Sequence, residues 1–154
     1  MEGFPKERAN VLGVGVHPVT VAELYARMLG FVREGRNALV LHANVRGLNL
    51  CYRHPELRFF NAALLIFCDG SSVMLAAHSL GGRIPERIHY GGWRRQLAAF
   101  AEREGLSLFL LGARPDVAER AAVRLEERHP DLKIAGVHHG YFDRTVGYLR
   151  TRPW

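Results

Sequence analysis

AALLIFCDGSS, residues 62–72, holds the most apolar run of the chain and closes it on a single carboxylate, Asp69, followed by Gly70 and two serines. A continuous apolar run of this length, bounded by turn residues, predicts a strand buried on both faces. Such strands belong to sheets layered between helices. The acid at the end of the run is either a loop carboxylate held by the following helix N-terminus or a general base or hydroxyl ligand. The residues alone leave both open. Gly70 lets a backbone or a substrate approach closely.

Outward from this stretch, short apolar runs alternate with amphipathic segments. VLGVGV, residues 11–16, predicts a first strand. Thr20, with Glu23 three residues on, predicts a capping box opening a helix to about Arg33, stopped by Gly35. Residues 38–41, ALVL, predict the next strand, ending at His42-Ala43-Asn44. A short helix follows, and Pro55 starts another, PELRFF. After Asp69, Ser71 or Ser72 is expected to cap a helix that Gly81-Gly82 ends. The loop RIPERIHYGG, residues 83–92, then leads to the helix WRRQLAAFAEREG. Residues 106–111, LSLFLL, predict a strand, DVAERAAVRLEERH a strongly amphipathic helix with Pro115 at its start, and residues 133–137 a last strand.

This order predicts an α/β chain: one Rossmann-like domain over residues 1–154, with a mostly parallel sheet and helices on both faces. In open parallel sheets the ligand sits beyond the carboxyl ends of the strands. That edge would carry Asn44, Asp69, Gly112 to Arg114, and His138 to Tyr141. At Gly112-Ala113-Arg114 the glycine would free backbone amides at a helix N-terminus, and the arginine fork suits phosphate. An ordinary βα turn reads the same way. His138-His139-Gly140-Tyr141-Phe142 offers an aromatic for stacking on a base or sugar, or merely an anchor for the last loop. No third or fourth ligand stands at zinc spacing, so no metal is expected. Gly13-Val14-Gly15 lacks the third glycine of a dinucleotide fingerprint. Tyr90 to Arg95 reads as a mobile loop and a basic helix start, with two glycines compatible with a hinge.

Composition narrows the classes. The net charge is +6, and Lys6 and Lys133 are the only lysines, so the positive charge is almost wholly arginine. Arginine forks suit phosphates and carboxylates; genome-wide composition accounts for them equally. Cys51 and Cys68 sit in apolar surroundings at no ligand spacing and read as reduced thiols of a cytoplasmic protein. No segment approaches the roughly 20 apolar residues of a membrane span, and MEGFPKERAN has no secretory apolar core. No nucleic-acid reader motif is present, which ranks that class last.

Several stretches together resemble the WecG/TagA/CpsF glycosyltransferases: VLGVGVHPVTVAEL, LHANVRGLNLCYRHPELR, DGSSVMLAAHSLGGRIPERI, GLSLFLLGARPDVAERAAVRLEERHPDLKIAG and HHGYF, over about residues 10–142. LFLLGARPDVAERAA with GVHHGYF is the most specific part. The resemblance implies a Rossmann-like, metal-independent, inverting enzyme. It would transfer an N-acetylmannosamine-like sugar from a UDP-sugar to a lipid-linked saccharide in cell-surface polysaccharide synthesis. It would be cytoplasmic or peripheral to the inner membrane face, as a homo-oligomer or with a partner subunit. It implies Asp69 as the catalytic base, Gly112, Ala113 and Arg114 near the nucleotide, Tyr141 at the uracil, and Asn44 at sugar or acceptor. His42, Gly70, His139 and Gly140 complete the implied substrate-binding set.

The chain departs from the family at three places. His42-Ala43 stands where Thr-Pro is usual, and Tyr90-Gly91-Gly92 where a Gly-Ser/Thr-Asp stretch is usual. After Phe142 the divergent tail 143–154 ends at GYLRTRPW, without the family's further βα region, its Pro-Lys-Gln-Glu type motif and its basic C-terminal segment. The alternative expectation is therefore a truncated or divergent member that binds a nucleotide-sugar or a partner without catalysis.

Overall fold

The computed structural model describes residues 8–142. The tail 143–154, Lys6, and the side chains of Arg58, Phe59, Tyr90, Arg94 and Arg95 lie outside the described residues. The chain divides into two compact units, with the boundary between Arg94 and Arg95. Each is described by itself.

The first unit opens with a hairpin, not the single strand expected. β1 (Ala9–Val11) and β2 (Val14–Val16) pair antiparallel, Val11 opposite Val14. Leu12 and Gly13 turn between them with φ of 53° and 85°, and the Asn10 side chain accepts from the Gly13 amide at 2.9 Å. Positive φ at both central positions is the hairpin turn that matches strand twist. A leucine at the first of them hides it from a sequence reading. It also explains why Gly13-Val14-Gly15 is no nucleotide loop.

Helix α1 (Val21–Arg33) carries the expected capping box: Thr20 Oγ1 accepts from the Glu23 amide at 3.2 Å, and Glu23 accepts from the Thr20 amide at 2.7 Å. Gly35, at φ 63°, follows its C-cap. Glu86, 65 residues on, accepts from the first helical amide, Val21, at 2.8 Å. β3 (Val40–Ala43) leads into α2 (Val45–Arg53) and a 3-10 helix (Pro55–Ala62). β4 (Leu65–Cys68) then returns parallel to β3, with Val40 opposite Leu65 and Ala43 opposite Cys68.

β4 is buried at every position. Ile66 and Cys68 pack with Val11, Val16, Leu48, Val73 and Ala77, among the hairpin, α2 and α3 (Ser71–Ser79). Leu65 and Phe67 pack on the opposite side with Leu24 and Phe31 of α1 and with Ile88. Alternate residues of one strand thus serve two separate apolar layers, which is why the run shows no polar alternation. Here the expected covering of both faces is met.

α3 begins at Ser71, but neither serine caps it. Gly70 is the N-cap, at φ 113°, with no side-chain hydrogen bond to the helix. Gly81, at φ 82°, ends the helix, and the Gly82 amide reaches back to the Ala77 carbonyl at 2.8 Å. α4 (Tyr90–Arg103) starts three residues earlier than expected. Tyr90-Gly91-Gly92 form its first turn, and the amides of Gly92 and Trp93 both reach the His89 carbonyl. First-turn amides need no partner within the helix, so two poor helix formers are tolerated there.

The second unit is a βαβ pair. β5 (Ser107–Leu111) and β6 (Lys133–His138) run parallel around α5 (Val117–Arg128), with Leu111 opposite His138. A bulge between Leu108 and Phe109 shifts the register. Leu108 and Ile134 pack with Ala98, Ala101, Leu125 and Leu132. On the other face Phe109 and Leu111 are exposed, so two-face covering does not extend to β5. Among the described residues the sheets are three two-stranded ladders, where one larger parallel sheet was expected. The α/β class and the parallel βαβ units stand. No helix among the described residues is long and apolar enough to cross a membrane.

β2 joins β4 through His17. Its amide donates to the Ile66 carbonyl at 2.7 Å, and its Nδ1 lies 2.9 Å from the Ile66 amide nitrogen. An N–H aimed at Nδ1 requires a lone pair there, so the ring is neutral with its proton on Nε2. Burial, then the Arg8 and Arg27 charges, lower its pKa from 6.5 to about 4. The unfolded chain takes up this proton first. Stability is therefore full above about pH 6.5 and falls as pH drops toward about 4, by on the order of 3 kcal/mol. Urea midpoints across this range are expected to show the loss, and His17→Gln to flatten it; an unchanged slope in the variant contradicts the assignment.

Candidate functional site

The carboxyl edge of the β3–β4 pair gathers His42, Asn44, Asp69 and Gly70. The register sets their placement. His42 lies opposite Phe67, and the Asp69 amide adds one more rung by donating to the Ala43 carbonyl at 2.8 Å. Side chains two apart on a strand share a face. His42, Phe67 and Asp69 therefore stand on one side, with His42 Nε2 3.9 Å from Asp69 Oδ2. The Asp69 side chain is 18% exposed and that of His42 34%, so both are reachable from solvent while backed by protein. The Phe67 ring lies behind the imidazole, centroids 6.0 Å apart.

Asn44 caps α2: its Oδ1 accepts from the Gly47 amide at 2.8 Å. One end of the amide is thus structural, and Nδ2 is the end available to a ligand. At Gly70 a Cβ would meet nothing within 4 Å, so the requirement for glycine is the positive φ rather than crowding.

Arg87 is the residue the sequence reading missed. It donates to Ser71 Oγ at 2.9 Å, at the start of α3. The Ile88 amide donates to the Cys68 carbonyl at 3.1 Å and seats this segment on β4. No local motif announces it, because Ser71 lies 16 residues upstream and the bond that seats its segment joins Ile88 to Cys68. Cys68 itself is no nucleophile. Burial, then the Asp69 charge, raises its thiol to about 11 against the opposing pull of Arg87, and its Sγ donates to the Gly70 carbonyl at 3.5 Å. Burial also raises the thiol of Cys51. Both cysteines are free and buried, as the sequence reading expected. A shallow cavity of about 490 Å³ runs along α3, lined by Ser71, Ser72, Met74, Leu75, His78 and Ile84.

The carboxyl edge of β5–β6 gathers Gly112, Ala113, Arg114, His139, Gly140 and Tyr141. Gly112 and Ala113 both take positive φ, 138° and 64°, and Asp116 takes 67° at the N-cap of α5. The helix starts at Val117, two residues after Pro115. The Gly112 amide itself donates to the His138 carbonyl at 3.0 Å, so it is not among the backbone amides the turn was expected to free. The glycine supplies the positive φ of the turn. The Gly140 amide donates to the Ala113 carbonyl at 2.8 Å, locking the two turns together. His138 Nδ1 lies 2.7 Å from the His139 carbonyl, and the Tyr141 amide donates to His139 Nδ1 at 3.2 Å.

The two aromatics divide the roles that sequence left open. Phe142 meets the His138 ring edge-on at 5.4 Å, as an anchor would. Tyr141 is 71% exposed, so its ring face is available for stacking. Among the described residues no group of three or more His, Cys, Asp or Glu could hold a metal ion.

A Cβ on Gly140 would fall 3.2 Å from Gly112 Cα and 3.3 Å from the Ala113 nitrogen, against backbone that cannot yield cheaply. Gly140→Ala is therefore expected to cost about 1–3 kcal/mol through overpacking, read from the denaturant midpoint. An unchanged midpoint contradicts the locked pair of turns.

The family described as "Glycosyl transferase WecG/TagA/CpsF family" matches residues 9–148. Proteins named N-acetylglucosaminyldiphosphoundecaprenol N-acetyl-beta-D-mannosaminyltransferase, from Staphylococcus aureus strains NCTC 8325 / PS 47 and COL, are each 29% identical over 139 residues. The alignment covers 88% of this chain and 54% of each relative, so the chain spans about half the length of the curated relatives it matches. With a family match over nearly the whole of its length, the chain belongs to the WecG/TagA/CpsF glycosyl transferase family.

Proposed function

We propose that this chain serves an inverting glycosyltransferase that moves an N-acetylmannosamine-like sugar from a UDP-sugar to a lipid-linked saccharide, without a metal. The observation that carries the reading is the placement of Asp69. It stands at the carboxyl edge of β3–β4, it is reachable from solvent, and the doubly buried β4 holds its backbone. The names of the relatives, which specify a lipid-diphosphate acceptor and an N-acetylmannosaminyl group, support the substrate class.

In this mechanism Asp69 takes the proton of the acceptor hydroxyl as its oxygen forms the bond to the anomeric carbon. The bond from that carbon to the diphosphate oxygen breaks on the opposite face, which inverts the centre. UDP leaves with the bonding electrons, its charge met by backbone donors and arginine. Asn44 Nδ2 and the Gly70 backbone contact sugar or acceptor. Gly112, Ala113 and Arg114, with His139, Gly140 and Tyr141, serve the nucleotide, Tyr141 by stacking on uracil. The surrounding architecture in this reading is a Rossmann-like sheet in a single α/β domain, on the cytoplasmic side and peripheral to the membrane. A homo-oligomer or partner subunit fits the same reading.

Calorimetric titration with UDP, followed by a transfer assay with UDP-N-acetylmannosamine and a lipid-diphosphate N-acetylglucosamine acceptor, tests it. Asp69→Asn is expected to lower turnover by about 100-fold or more while leaving UDP affinity within about twofold. Turnover retained in the variant overturns Asp69 as base. UDP binding without turnover in the unaltered protein would identify a nucleotide-sugar binding module instead.

A further inference from the structure

We infer that His42 is a positioning residue for Asp69, and that the two act as a pair in which the imidazole Nε2–H holds one carboxylate oxygen as the group takes the acceptor proton. The inference rests on the proposed reading for its chemical purpose, but the pair itself is a matter of geometry.

A carboxylate that receives a proton in the reaction must present a chosen oxygen at a chosen angle, since a misplacement of about 1 Å can cost on the order of 100-fold in rate. Gly70, which follows it, leaves the chain at a positive φ and supplies no side chain to brace it. A brace comes from the neighbouring strand. The parallel register sets His42 opposite Phe67, and Asp69 is two residues beyond Phe67 on the same face. A diagonal pair across adjacent strands is within reach of a long or aromatic side chain, and the observed Nε2 to Oδ2 distance is 3.9 Å. That is about 1 Å beyond a direct hydrogen bond; such contacts tighten when the substrate complex forms. Phe67 backs the imidazole and limits its retreat.

No proton is consumed by this arrangement. Asp69 takes the acceptor proton, and the Nε2–H stays on His42 throughout, stabilising the carboxylate before transfer and orienting the carboxylic acid after it.

The test uses the whole protein labelled with ¹⁵N at histidine. The proton on His42 Nε2 is expected to give an observable resonance that the carboxylate moves downfield. Asp69→Ala is expected to abolish or shift it, with the melting transition confirming that the variant folds. A His42 resonance indifferent to Asp69→Ala overturns the pair, whether or not the protein transfers sugar. In the transfer assay, His42→Gln, which keeps an N–H at nearly the same reach, is expected to retain most of kcat. His42→Leu is expected to lose about 10- to 100-fold in kcat with KM within about twofold. Equal losses in the two variants, or a loss confined to KM, also overturn the inference. Absence of transfer in the unaltered protein counts against the proposed reaction, and the Nε2 resonance still decides the pair.

Discussion

Burial of β4 on both faces is the constraint on which the first unit depends. Leu65, Ile66, Phe67 and Cys68 are all at most 2% exposed, and they point alternately into two separate apolar layers. Removing four consecutive apolar side chains from water stabilises the strand by roughly 1.5–3 kcal/mol for each of the larger ones. The same burial obliges every backbone polar group of the strand to find a partner. β3 supplies them on one edge. On the other, His17 supplies both an amide and a ring nitrogen to Ile66. A strand fixed in this way delivers its next residue to a defined place. That residue is Asp69, and the ladder follows it out through its bond to Ala43.

The second unit achieves its edge by a different device. Its sheet buries one face against α4 and α5 residues and leaves Phe109 and Leu111 exposed. Order at the edge comes from two turns that interlock through backbone: Gly112 to His138, and Gly140 to Ala113. Positive φ at Gly112 and Ala113 and the absence of a side chain at Gly140 permit the approach. Rigid backbone there leaves Tyr141 outermost, with its ring open to solvent.

Much of this was legible in the sequence where local chemistry dominates. The Thr20–Glu23 box announced α1 because both partners lie within one turn. The unbroken apolar run announced β4 because no exposed face demands alternation. The carboxyl-edge residues followed from the βαβ order alone. What was hidden depends on distant or unusual partners. Leu12 at positive φ conceals a hairpin in what reads as one strand. Gly70, not Ser71 or Ser72, meets the helix, because the chain turns there at a positive φ that glycine adopts readily. Arg87 and His17 find their partners only when segments 16 and 49 residues away fold against them. The pairing of His42 with Asp69 needs the strand register, which no local pattern states.

The central claim is that the doubly buried β4 holds Asp69 rigidly at the carboxyl edge of the β3–β4 pair. Native-state hydrogen exchange tests it most directly. The amides of Ile66 and Asp69, bonded to His17 and Ala43 respectively, are predicted to exchange among the slowest of the first unit, opening only when that unit unfolds. An Asp69 amide exchanging as fast as an exposed loop amide, with Ile66 still protected, would contradict the claim.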